Sequence, residues 1–468
     1  MEPEVDLLAI EHGSVSAPAG CGKTQVIAAA LARHAGPKPI MVLTHTNAGV
    51  MALKGRLTNA GVPASAYRLS TLDGWAMRLI GTFPMRSGHD PAILELRQRS
   101  DYDAIRRAAA LLLRAGHLSD VLDASYDRLF VDEYQDCSQI QHAMVGLASE
   151  TLRTCVLGDP LQAIFGFAGK LADWKADVRT RFPHAAELST PWRWINAGER
   201  AFGEWLLEVR HWLLAGRPID LRSAPPNVIW LPLDGKDDRA KRLLACQARA
   251  PTESGGVLII GDSKDPPGQR RFASDTPGAV TVEGVELRDL VEFARGFDLQ
   301  HPAALERVCG FADDVMTGAD GVGLAARVRG SADRQAGLPS GPQRAARAFM
   351  AAPSHRAAVD LLVELGKQGG VRIHRPLVLA CCIKAFNASP ERPGAFAEAA
   401  VHAREENRVL GRPLPARAVG STLLLKGLEA EVSVVLDVEG MDAAHLYVAM
   451  TRGSRRLVVC SRSPVLTG

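Results

Sequence analysis

Two short stretches carry residues whose types and spacing suit phosphate chemistry. The first, Ala17-Pro-Ala-Gly-Cys-Gly-Lys-Thr24, follows the apolar Val15 and ends in the Gly-Lys-Thr of a phosphate loop. In such a loop Ala19, Gly20, Cys21 and Gly22 form the turn, with the glycines letting backbone N–H groups approach the phosphates. Lys23 reaches the β and γ oxygens and Thr24 offers its hydroxyl to Mg²⁺. Ala17 stands where the usual first glycine would be. The second stretch, Asp132-Glu133-Tyr134-Gln135-Asp136, follows the apolar run Leu129–Val131. Adjacent carboxylates at a strand end suit Mg²⁺ ligation by the first and water activation by the second. Taken singly, the two stretches could be a glycine turn capping a helix and a solvated acidic turn. Together, with the carboxylates downstream of the loop, they predict an NTP hydrolase that uses Mg²⁺.

Such residues need a scaffold that delivers them together. Up to about residue 190, short apolar runs (Ile40–Leu43, Leu129–Val131, Thr154–Leu157) alternate with helical patterns such as Val26–Ala35, which stops at Gly36-Pro37. Polar residues stand at the strand ends. That alternation predicts an α/β fold with a parallel, doubly wound sheet. The stretch 85–125 lacks strand runs and reads as a helical insertion. A second α/β domain is expected over 191–285 and 411–468, with strands at Val257–Ile260, Val432–Leu436 and Leu457–Cys460. Between them 286–410 turns helical and Arg/Ala-rich, as a second insertion.

Composition limits the remaining classes. With 468 residues, 47% hydrophobic and 23% charged, the chain is expected to fold into two or three domains, which excludes disordered, collagen-like and disulfide-scaffold readings. A net charge of +3 means that any nucleic-acid site is a local patch. The eight cysteines show no zinc-site spacing and read as buried thiols of a reducing cytoplasm. The acidic N-terminus is not expected to be a signal peptide, and no apolar run is long enough to span a membrane.

DEYQD at 132–136 also resembles the second motif of UvrD-like, superfamily 1 helicases, and other motifs of that family follow in chain order. Thr44-His-Thr-Asn47 resembles its DNA-contacting "TFTN" segment, and Ser70-Thr-Leu-Asp-Gly-Trp75 the next. Gly158-Asp-Pro-Leu-Gln162-Ala-Ile-Phe165-Gly-Phe167 is similar to "GDxxQSIYxWRGA". Pro191-Trp192-Arg193 stands at "NYR", Lys426-Gly-Leu-Glu429 matches "KGLE", and Tyr447-Val-Ala-Met-Thr-Arg452 matches "YVAxTRA". The compact form looks most like the helicase-type subunit of the Gabija anti-phage system, which works with a separate OLD-type nuclease carrying a Toprim domain. With Gly468 following soon after Arg452 and no nuclease motif in the sequence, any nuclease is expected on another chain.

The resemblance implies two RecA-like domains with an NTP, such as ATP, in the cleft between them. Lys23, Thr24 and Asp132 would hold Mg·NTP, Glu133 would polarise water, and Gln162 would sense the γ-phosphate. Arg193 and Arg452, from the second domain, would act as arginine fingers. Trp192 could stack on the base, and Glu429 would lie on the nucleotide side. Thr44, His45 and Asn47, with Trp75 nearby, would contact DNA, and Phe165 and Phe167 would stack on bases. Movement 3′→5′ on single strands is also implied.

Among the departures from the family, four carry information. Val5 stands upstream of Lys23 at the place where a glutamine reads adenine, which leaves the nucleotide preference open. Ala168 replaces the "WRGA" arginine, and Asp73 and Leu423 replace histidines. Hydrolytic positions are kept while positions tied to DNA or coupling change. Three uses therefore remain: a motor, an NTPase sensor of DNA ends or nucleotides, and a scaffold with a regulatory pocket. Glu133, Arg193 and Arg452 argue against the scaffold, which needs no water-activating acid.

Overall fold

The structure is a computed structural model that describes residues 4–96, 99–166, 170–330, 339–392, 394–409 and 415–468. The chain packs as two compact units. One comprises Met1–Pro225, Gly440–Arg455 and Val465–Gly468; the other comprises Pro226–Glu439 and Arg456–Pro464. Residues 191–225 and 440–455, expected in the second domain on sequence grounds, thus pack within the first unit. The helix Arg200–Leu214 accounts for part of this, because its apolar face buries Phe202, Trp205, Leu206 and Val209.

The first unit is built on a six-stranded sheet of β1 (His12–Ser16), β2 (Ile40–Thr44), β3 (Tyr67–Thr71), β4 (Arg128–Val131), β5 (Arg153–Gly158) and β6 (His184–Glu187). Its order is β3-β2-β4-β5-β1-β6, and every neighbouring pair is parallel. Alternate residues feed two cores. Met41, Leu43, Leu129, Val131 and Val156 join one, and Ile40, Val42, Phe130, Cys155 and Leu157 join the other. A sheet buried on both faces explains why these strands are apolar throughout rather than alternating. Between β3 and β4 the described residues form only helices and turns, including Arg99–Arg114 and Ser119–Ser125. A short strand, β7 (Ile219–Asp220), follows the helix Arg200–Leu214.

The second unit holds β8 (Val228–Pro232), β9 (Val257–Gly261) and β10 (Val280–Thr281). It continues through β11 (Met316–Thr317), β12 (Arg372–Ile373), β13 (Arg417–Ser421), β14 (Ala430–Val435) and, from Arg456 on, β15 (Gly453–Ser461). Its main sheet runs β10-β13-β9-β14-β15-β8. The pairs β10–β13, β13–β9, β9–β14 and β15–β8 are parallel. Two six-stranded parallel sheets flanked by helices make the chain α/β.

Between β10 and β13, helices from Arg288–Gly296 to Ala395–Val409 gather around their own core. Phe386 and Phe396 stack there at 4.0 Å. The antiparallel ribbon β11–β12 and the buried Arg375, bonded to Glu283 at 2.6 and 2.9 Å and to Asp289 at 2.7 Å, join that bundle to the sheet side. Finally β16 (Val465–Leu466) pairs antiparallel with β7 in the first unit. All eight cysteines are buried free thiols. No helix among the described residues is long and apolar enough to cross a membrane.

Candidate nucleotide site

In a parallel sheet the loops after each strand emerge at one edge. In the first unit that edge collects the loop 17–22 after β1, residues 45–46 after β2, 132–137 after β4, 159–162 after β5 and 188–193 after β6. Segments as far apart in the sequence as Ala17 and Arg193 therefore meet.

The loop after β1 turns into the helix Lys23–Arg33 through Gly20 and Gly22, at φ +72° and +82°, where residues with a Cβ are disfavoured. The glycines also admit neighbours. A Cβ on Gly20 would overlap the Trp194 indole, and one on Gly22 would lie 3.1 Å from Trp192. The Arg193 N–H donates to the Gly20 carbonyl at 3.0 Å, and the Ala19 N–H donates to the Tyr447 hydroxyl at 3.2 Å. Thr24 lies half-buried in the first helical turn, whose N–H groups have no intrahelical partner. Cys21 is buried, and burial together with the Asp159 charge pushes its thiol up to about 12, so it is a packed, unreactive group.

Lys23 points its ammonium at two carboxylates, Asp132 Oδ1 at 2.9 Å and Glu133 Oε1 at 2.5 Å. Burial alone would lower the Lys23 pKa, but the two negative charges outweigh it and hold it above its ordinary value. Burial raises the Asp132 carboxyl, and Lys23 opposes that. The chain after β4 bends sharply because Glu133 adopts φ +55°, which costs a residue with a side chain about 1–2 kcal/mol. Its N–H donates to Asp132 Oδ1 at 2.9 Å, and Gln135 Nε2 donates to Glu133 Oε2 at 2.5 Å. Hard oxygen donors from Thr24 and Asp132 suit Mg²⁺. The row of helix N–H groups beside a lysine suits a phosphate chain.

Gln162 donates from Nε2 to Asp159 Oδ2 at 3.2 Å. Arg193 donates from Nη1 to the Thr451 carbonyl at 2.6 Å, and Trp194 Nε1 to the Gly453 carbonyl at 3.0 Å. Arg452 is buried, bonding the Val448 carbonyl at 2.8 Å and Thr451 Oγ1 at 3.1 Å. Both arginines belong to the first unit, whereas the resemblance expected them from the second domain. Trp192 is half-buried over Gly22. Glu429 is exposed just before β14, in the second unit.

The residues expected to meet DNA divide. Asn47 is exposed at the start of the helix Asn47–Asn59, which Thr46 caps by accepting from the Gly49 N–H at 3.0 Å. His45 turns inward, with Nε2 3.4 Å from Cys137 Sγ, and Thr44 is buried. Trp75 is 2% exposed among Leu72, Leu79 and Ile80, so it packs in the core and not on a strand of DNA. Phe165 is half-buried, and Phe167 and Ala168 lie outside the described residues. Asp73 takes two bonds from Arg106 at 2.7 Å and one from Gln141 at 3.0 Å, tying three helices of the first unit together. Val5 packs partly against the core, while Glu4 accepts from the Ser189 N–H at 2.7 Å. Leu423 is half-buried in the short helix Thr422–Leu425 of the second unit.

Sequence reasoning missed Gln135, Trp194 and Arg210 as parts of this edge. Gln135 sat inside the quoted acidic motif. Arg210 had a signal as well, since it stands on the apolar stripe Phe202, Trp205, Leu206, Val209 and Leu213 of its helix. A charge on such a stripe needs a buried partner.

Residues 9–107 and 92–176 match the family model of the UvrD/REP helicase N-terminal domain. No curated protein matches the chain. Among solved structures it is similar to the Pif1 helicase from Candida albicans, at 12% identity over 99% of this chain and 94% of that one, with a TM-score of 0.40. It is also similar to arterivirus nonstructural protein 10, a helicase, in its complex with DNA, at 10% identity and a TM-score of 0.35. That match covers 96% of this chain and spans 60% of the viral protein.

Proposed function

We propose that the chain is an Mg²⁺-dependent NTPase motor of the UvrD-like type, moving 3′→5′ on single-stranded DNA. The observation that carries this is the Lys23 ammonium, held between Asp132 and Glu133 at the start of the helix Lys23–Arg33. A bound Mg²⁺·NTP supplies the phosphoanhydride to be cleaved and the cation that screens its charge. The chain's residues do the rest. Lys23 exchanges its carboxylates for phosphate oxygens, Thr24 and Asp132 hold the metal, and Glu133 orients water and takes its proton. Gln162 reads the γ-phosphate, and Arg193 and Arg452 stabilise the developing charge. Trp192 stacks on the base. Asn47 and Phe165, with Phe167, bear on the DNA strand.

The compact motif set and the likeness to the Gabija helicase-type subunit support a role in phage defence, in the cytoplasm, beside a separate OLD/Toprim-type nuclease chain. A second reading is a sensor that hydrolyses NTP without unwinding. Its support is specific: Thr44, which the resemblance sets against DNA, and Trp75, expected nearby, are buried, and Asp73, at a position tied to DNA or coupling, is bonded to Arg106. The deciding experiment is steady-state hydrolysis of ATP, GTP and dATP by the purified chain, with and without single-stranded DNA. Strong stimulation supports the motor. Basal turnover that DNA does not raise, and that Glu133→Gln abolishes, supports the sensor.

A further inference from the structure

Asp159 is fully buried where β5 ends, and four groups converge on it. Its N–H donates to Gln135 Oε1 at 3.1 Å, and Gln135 in turn holds Glu133. Its Oδ1 accepts from the Leu161 N–H at 3.3 Å and from Arg210 Nε at 3.1 Å, while its Oδ2 accepts from Gln162 at 3.2 Å. Arg210 is 3% exposed and spends its other end on Glu187, from Nη1 to Oε1 at 2.8 Å. An unpaired carboxylate this deep would take up a proton or pull in water. With the guanidinium beside it, Asp159 stays an acceptor on both oxygens. The Gln162 amide must then turn its NH₂, and not its carbonyl oxygen, toward Asp159.

We infer that Arg210 is a positioning residue: by holding Asp159 as a charged acceptor it fixes the orientation of the Gln162 amide. This rests on the hydrolase reading of the site. Arg210 touches no reacting atom, and its influence runs through Asp159.

The test is steady-state Mg·ATP and Mg·GTP hydrolysis by the full chain, comparing wild type, Arg210→Met, Arg210→Lys, Gln162→Ala and each Arg210 variant combined with Gln162→Ala. Arg210→Met should lower kcat about 10- to 100-fold, as small misplacements of a catalytic group do, with KM changed less than about twofold. Arg210→Lys keeps a charge but cannot span both carboxylates, so it should recover part of the loss; it also serves should the Met variant not fold. In the Gln162→Ala background either substitution should change kcat much less than it does alone, because coupled residues are non-additive. Equal losses in both backgrounds, or no loss at all while wild type turns over, would overturn the positioning role alone. Absence of turnover in wild type, with and without single-stranded DNA, would overturn the hydrolase reading and the role with it.

Discussion

Lys23→Ala strips the ammonium from two adjacent carboxylates and removes the group expected to meet phosphate, so turnover should be lost in a steady-state assay. Glu133→Gln is the sharper test, because it keeps shape and hydrogen-bonding capacity while removing the base. Turnover should fall about 10²–10⁴-fold, the usual contribution of a general base, with Mg·NTP binding retained in a fluorescent-nucleotide titration. Turnover within about tenfold of wild type would take Glu133 out of that role. At this scale the sequence is legible wherever chemistry demands fixed spacing. Lys23, Thr24, Asp132 and Glu133 are such positions, and the structure brings Lys23 to both carboxylates. Trp75 is legible too, but as core: Leu72, Trp75, Ala76, Leu79 and Ile80 recur at helical spacing, and the pattern outweighs the motif. What no spacing reveals is the partner of Arg210, because Asp159 lies far from it in the sequence.

Strands buried on both faces, such as β2, β4 and β9, announce themselves as apolar runs. The strands β3 (Tyr-Arg-Leu-Ser-Thr) and β6 (His-Ala-Ala-Glu) lie at the two sheet edges, where solvent takes part of the pattern, and neither is readable from the sequence. The short helix Trp192–Asn196 is invisible for a similar reason, since packing against the phosphate loop and not periodicity defines it. Its two tryptophans should behave differently. Trp194→Ala empties a buried indole site over Gly20 and should cost about 3–5 kcal/mol in urea unfolding. Trp192→Ala, half-buried, should leave stability nearly unchanged and weaken nucleotide affinity; the reverse ranking would show that Trp192 is the structural member. In the second unit, His374 follows β12 and ties it to β10 and β11, with its carbonyl accepting from the Thr281 N–H at 2.8 Å and Nδ1 lying 3.3 Å from Thr317 Oγ1. Burial, then Arg375 and Arg372, lowers its pKa to about 4 from the ordinary 6.5. Between those values the unfolded chain binds a proton that the folded unit refuses, so stability is complete above pH 6.5 and declines as pH falls toward about 4. Thermal melts across that window should show the decline, and His374→Gln should flatten it.

Over the whole chain, 55 basic side chains nearly balance 52 acidic ones, and many of the arginines are already bonded to carboxylates. A long-range field therefore contributes little to strand capture, which leaves local phosphate contacts and stacking. This makes two DNA dependences separable. Each phosphate neutralised should add about 0.7 to the slope of log affinity against log salt, so a chain that captures the strand mainly by stacking should show a shallow slope. Phe165→Ala removes a stacking surface without a charge, so it should weaken single-strand affinity by about 1–3 kcal/mol at every salt concentration and leave that slope unchanged. Hydrolysis without DNA should not move, because a phenyl ring supplies neither charge nor hydrogen bond to the phosphate chemistry. Fluorescence anisotropy with a labelled oligonucleotide, read beside the turnover assay, distinguishes the cases. An unchanged affinity would make Phe165 a packing residue. Affinity lost together with DNA stimulation, and duplex unwinding lost from a substrate with a 3′ tail, would identify a motor. Affinity lost with stimulation but no unwinding in wild type would identify a sensor, whose hydrolysis reports an occupied strand and does not move along it.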